Sequence, residues 1–234
     1  MNKLTVILLC SMVSVELTIN EYWKKINTLV SLGKYLEAVT DLNFCIRQYP
    51  SDSAYYLRGC LKESELHDKR GAALDFDSAL ALTKTDSSKI LFAKGMLFPV
   101  RDYRREQCLI MAMKADSTSE AVLRLAEVEF VKGNYDNAKT LLTRWVSTTP
   151  PSNPLFYLGY ENRGHVNYKE ANYDSALADF NQCLKFENRA FMCSYYRGLI
   201  KQRKGDSTGA CEDFKMAAEW GVYRADSLLR EKCR

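Results

Sequence analysis

The chain has 234 residues, of which 47% are hydrophobic and 26% charged, a balance that suits a folded chain and excludes a disordered one. Its formal net charge of +4 is small and its lysines and arginines are dispersed, which argues against nucleic acid as the partner. In chain order, Met1-Asn2-Lys3 precedes an apolar run, Leu4 to Val15, closed by Glu16. This layout predicts an export signal over 1–18 and a place in the cell envelope or periplasm. The run falls short of the roughly 20 residues of a membrane span. No Ala-x-Ala-like cleavage site comes after it, and Leu9 is bulkier than the residue a lipoprotein signal places before its cysteine, here Cys10. The alternative is an extra apolar helix packed on the first helices beyond residue 18, in a cytoplasmic protein.

Beyond residue 18 one motif recurs. It reads Tyr35-Leu-Glu-Ala38-Val-Thr-Asp-Leu42, then Gly71-Ala72-Ala-Leu-Asp-Phe76, then Tyr135-Asp-Asn-Ala138-Lys-Thr-Leu-Leu142. It returns as Tyr173-Asp-Ser-Ala176-Leu-Ala-Asp-Phe180 and as Ala210-Cys-Glu-Asp-Phe214. The alanines are separated by steps of 34, 66, 38 and 34 residues, a period that belongs to stacked helix-turn-helix units. Each alanine lies on the second helix of a pair. Glycines on the first helices (Gly59, Gly164, Gly198) are expected to mark the closest helix crossing, with the small alanine filling the gap. The units run over about 19–50, 53–86, 87–117, 119–150, 155–188 and 191–220. The third is degenerate: Lys94-Gly95 is present, no anchor alanine appears, and Cys108, Ala112 and Ala115 place its second helix at Arg104–Ala115. Three prolines in 148–154 lengthen one step and predict a bend or a division into two lobes. Residues 221–234 read as a closing helix, which a stack needs to cover its last apolar face. The fold class is all-α, a right-handed solenoid of about six such units with a C-terminal cap.

This pattern resembles the tetratricopeptide repeat. Gly164, Tyr173, Ala176, Phe180 and Cys183 carry the likeness in the fifth unit, and Gly198, Gly205, Ala210, Phe214 and Ala217 in the sixth. Gly33, Tyr35, Ala38, Leu42, Cys45 and Pro50 carry it in the first, and Gly133, Tyr135, Ala138, Leu142 and Pro150 in the fourth. The resemblance covers about residues 22–220 and implies a non-catalytic scaffold or adaptor that binds a peptide or partner segment in a groove lined by first helices. The alternative is a structural subunit whose array builds an oligomer or larger complex.

Chemistry is sparse. His67 and His165 sit in no zinc motif, there is no Cys-x-x-Cys pair, and phosphate-cradling glycine loops and serine elbows are missing. No cofactor, metal or catalytic residue is expected. Asp75, Asp179 and Asp213 recur in phase, so they read as repeat surface, not as a catalytic pair. Cys45 and Cys183 occupy small core positions. Cys211 and Cys233 lie on the last repeat helix and at the end of the cap, so in an oxidising compartment they are expected to bridge.

Carrying the family's ligand-contact register across, the resemblance places Trp23, Tyr56, Phe92, Glu161 and Tyr195 in the groove. One turn later come Asn27, Glu127 and His165, and further on Phe130, Tyr168, Gln202 and Arg203. Flat aromatics suit an extended peptide, since they supply area at low entropy cost. A shift of one residue would turn several of these rings into core.

Overall fold

The computed structural model describes residues 19–84, 86–117, 120–186 and 191–233. The export reading of 1–18 lies outside them. Every regular element among the described residues is a helix. Two compact units divide between Pro99 and Val100. The first holds α1 (residues 19–31), α2 (Tyr35–Gln48), α3 (Asp52–Ser64), α4 (Lys69–Leu82) and α5 (Ser88–Met96). The second holds α6 (Tyr103–Ala115), α7 (Ala121–Lys132), α8 (Tyr135–Thr148), α9 (Phe156–Lys169), α10 (Tyr173–Phe186), α11 (Phe191–Arg203), α12 (Ser207–Glu219) and α13 (Tyr223–Lys232). The prolines at 150–154 mark no such division. Across them α8 packs directly on α9, where a β-carbon on Gly159 would come within 2.5 Å of the Trp145 indole.

The anchor alanines Ala38, Ala72, Ala138, Ala176 and Ala210 are all fully buried. The helical glycines have a different role from the expected backbone approach. A β-carbon on Gly59, Gly164 or Gly198 would stand 2.7, 2.6 or 2.7 Å from the ring of Phe76, Phe180 or Phe214. Each glycine is therefore the socket for the phenylalanine of its own hairpin. Where the second helix offers the smaller Leu42 or Leu142, the first helix fills the space with Ile26 or Ala126. Volume is conserved across the pair, as close packing requires.

The in-phase aspartates are a second correction. Asp75, Asp179 and Asp213 are buried, not surface, with 3%, 5% and 2% of their area exposed. The arginine just before each glycine reaches them. Arg58 holds Asp75 through Nε at 2.9 Å and Nη2 at 2.5 Å, and its Nη1 donates to Asn43 on the preceding pair at 2.6 Å. Arg197 repeats this with Asp213 and Asn181, and Arg163 with Asp179 and Thr143. Lys62, Lys201 and Asn167 complete the three carboxylates. A buried carboxylate is tolerable only with such full pairing. Each arginine thereby ties both helices of its own pair to the second helix of the pair before.

Turns depend on backbone freedom. Gly133 and Gly205 end α7 and α11 at φ +86° and +85°, a region other residues enter at a cost. The third repeat departs from the socket pattern in α6, which carries Leu109 at the ring position and Cys108 at the aspartate position. In α6 the buried positions are Arg105, Cys108, Leu109 and Ala112, which puts Arg105 where the other units carry alanine.

The socket gives a direct expectation. Gly198→Ala gains helix propensity but forces the Phe214 ring aside, for a net loss of ~1–2 kcal/mol. Adding Phe214→Leu should return part of it, as the Ala126–Leu142 pair does natively. Urea denaturation of the two single variants and the double variant reads this. Strict additivity would show that the glycine and the ring are not coupled.

Candidate functional site

In the second unit the first helices α7, α9 and α11 lie side by side. Between α7 and α9 opens a cavity of about 380 Å³, within the range of ligand-binding clefts. Phe130, Val131 and Leu158 give it an apolar wall, and Arg124, Glu127, Asn162 and His165 bring polar groups. Counted from the glycine or alanine of each helix, the open stripe holds the residues two before and one after it. That is an i, i+3 stripe on one helix face.

Charge at the rim is balanced. Arg124 Nη2 donates to Glu120 at 2.8 Å and its Nη1 lies 3.9 Å from Glu127, which also accepts from Arg105 at 3.1 Å. His165 is different. Its ring is wedged against Phe180 and Tyr196 at centroid distances of 5.5 and 4.5 Å. Burial lowers its pKa to about 4, so it is a neutral imidazole at neutral pH. Its Nε2 is buried without a hydrogen-bond partner among the described residues. Asn162 presents an amide with both donor and acceptor capacity. A neutral imidazole and an amide above an apolar wall can hydrogen-bond a polypeptide backbone while its side chain enters the cavity.

The expected contacts divide by register. Glu127, Phe130 and His165 line the one cavity, and Tyr168 joins them through Tyr196, ring to ring at 5.0 Å. Most of the row three residues before the glycine turns toward the core instead. Tyr195 is only 8% exposed and packs on Phe214. Glu161 turns toward Cys183 and Cys193, and burial raises its carboxyl pKa. Tyr56 lies 6.0 Å from Phe76, and burial pushes its phenol up to about 12. Trp23 packs against the core of the first hairpin, and Phe92 is half-buried on α5. Asn27 is exposed in the first unit. Gln202 is half-buried, and Arg203 lies over the Tyr173 ring at 5.5 Å, which engages it within the repeat. Arg124 and Asn162, not among the expected contacts, also line the cavity, and Tyr196 packs on His165. Each stands one position after a residue of that row.

Solved structures with a similar fold exist. PilF of Pseudomonas aeruginosa is similar with a TM-score of 0.66 at 17% identity, over 76% of this chain and 80% of that one. YrrB, described as a TPR protein with an unusual peptide-binding site, matches with a TM-score of 0.62 at 16% identity, over 81% and 97%. The fold is that of the tetratricopeptide-repeat proteins. A tetratricopeptide repeat protein from Parabacteroides merdae gives 0.57 at 21% identity, over 89% and 82%. No protein-family model matches the sequence, and neither does any curated protein.

At the end of this tetratricopeptide-like unit, Cys211 on α12 and Cys233 after α13 are joined by a disulfide with a Cα–Cα distance of 5.6 Å. The bridge fastens α13, whose Ala225 is buried among Ala210, Phe214 and Ala217.

His165 makes stability depend on pH. Unfolded, it takes a proton below its ordinary value of 6.5; folded, only near 4. The unfolded chain thus holds more protons in that window, and stability falls as pH drops through it, by up to ~3 kcal/mol. Urea midpoints at pH 7 and 4.5 should draw together in His165→Phe relative to the parent. An unchanged difference would show that the imidazole is not buried as described.

Proposed function

We propose that this chain is a non-catalytic interaction scaffold, and that its second unit holds an extended segment of a protein partner in the cavity between α7 and α9. The observation that carries the reading is His165: a neutral, buried and unpartnered imidazole nitrogen beside Asn162, above the apolar wall that includes Phe130. An unmade buried hydrogen bond is costly, and a turn of the imidazole into the cavity it lines would let a backbone N–H of a bound strand supply it. Because Arg124 and Glu127 offset each other, the site favours an uncharged segment with one apolar side chain over a strongly acidic or basic tail. The peptide-binding site named for YrrB supports the same class of partner.

A second reading has its own observation. Trp220 is 52% exposed and Tyr223 83% exposed, at the two ends of the turn from α12 to α13, exposed rings suited to assembly into an oligomer or larger complex.

The test uses peptides selected by display against the intact protein. Asn162→Ala and Phe130→Ala, each with parental helical content, should weaken selected peptides about tenfold, ~1.4 kcal/mol. Unchanged affinity in both would remove this cavity as the site. Binding lost in Tyr223→Ala instead would favour the assembly surface.

A further inference from the structure

The position seven residues after each anchor alanine meets the position five residues before the glycine of the next first helix. Along the chain this junction is filled in several ways. Cys45 packs in one cluster with Ala54, and Ala79 in another with Ile90. Trp145 lies over Gly159, where a β-carbon would collide with it. At the junction of α10 and α11 it holds two cysteines, Cys183 and Cys193, both fully buried. Their sulfurs stand 2.6 Å apart, with Cys193 Sγ donating to Cys183 Sγ.

That separation selects among chemistries. Unbonded atoms even as small as carbon rest at about 3.5–4 Å, while a disulfide closes at about 2.0 Å. The neighbouring Glu161 carboxylate makes a third donor, all three ligand atoms lying within 4.8 Å of one another, so a thiophilic metal is the rival occupant. Two thiolates on tetrahedral zinc, each at ~2.3 Å, would sit about 3.8 Å apart, much farther than these sulfurs.

We propose that Cys183 and Cys193 form a second disulfide, a covalent staple between consecutive repeats, made by a disulfide-bearing oxidant while the α10–α11 hairpin is still open. The thiolate of one cysteine attacks the oxidant's disulfide, giving a mixed disulfide and releasing one thiol. The second thiolate then attacks the protein sulfur of that mixed disulfide. The Cys183–Cys193 bond forms, the second oxidant thiol leaves, and the two cysteine protons end on the two released thiols. Two protein thiols are oxidised and one oxidant disulfide is reduced. The step precedes burial, because a folded junction leaves neither sulfur open to attack. With Cys211–Cys233 already joined, the four cysteines would staple α10 to α11 and α12 to the cap.

The experiment is alkylation of the full chain, refolded with oxidised and reduced glutathione, then denatured without reductant in the presence of a chelator and digested. The expected result is a linked Cys183–Cys193 peptide pair, about 2 Da lighter than the two thiol peptides together, with neither cysteine alkylated. In Cys193→Ala, which copies the native Ala54 at the same junction, Cys183 should become alkylated at full yield while the Cys211–Cys233 pair persists. Alkylation of both Cys183 and Cys193 in the parent overturns the proposal. If that occurs only when the chelator is added, a metal holds the thiols, and the disulfide is equally refuted.

Discussion

A phenylalanine ring can lie flat across a helical hairpin only where the facing helix has no β-carbon, and this steric condition governs the architecture. Gly59, Gly164 and Gly198 satisfy it for Phe76, Phe180 and Phe214. The arginine beside each glycine is thereby set at a fixed distance from an aspartate one residue before the ring. The socket fixes the spacing within a hairpin, and the Arg–Asp clamp carries that spacing to the previous hairpin through Asn43, Thr143 or Asn181. One small set of residues thus specifies both the unit and its stacking.

Departures from the combination keep its logic. In the first repeat Ile26 meets Leu42, and Lys25 takes the arginine's part toward Asp41 at 2.8 Å. In the fourth, Leu125 and Leu141 stand where arginine and aspartate would be, so that the charges vanish together and no carboxylate is left buried alone. Glu129 there accepts from Asn134 and Asn137 instead. That apolar version borders the cavity, and the exchange leaves the α7 face open to Arg124, Glu127 and Phe130.

The period of the alanines made the helix pairs, their order and the cap legible in the sequence, because small residues at a fixed interval are what nested helices require. The Cys211–Cys233 pairing was legible for the same reason: two adjacent helices bring their ends together. The lining of the cavity was legible only to within one residue. On a helix a step of one turns a side chain by about 100°, so Tyr195 faces Phe214 while Tyr196 faces His165. Aromaticity cannot tell these neighbours apart, since both are tyrosine. The aspartates were misjudged because a charged residue in phase with a repeat reads as solvated. Only the arginine sixteen or seventeen residues earlier, met in three dimensions, reveals them as core. The division at Pro99 was likewise hidden, since three prolines at 150–154 signalled a break more loudly than the missing alanine in α6.

Native-state hydrogen exchange along the full chain tests most directly whether socket and clamp hold the structure together. The amides of α9 to α12, where two complete combinations stand in succession, should exchange slowest and open as a cooperative group. Those of α5 and α6, where Cys108 and Leu109 stand in place of the aspartate and the ring, should open first. Slowest exchange in α5 or α6, or uniform protection along the chain, would contradict the account.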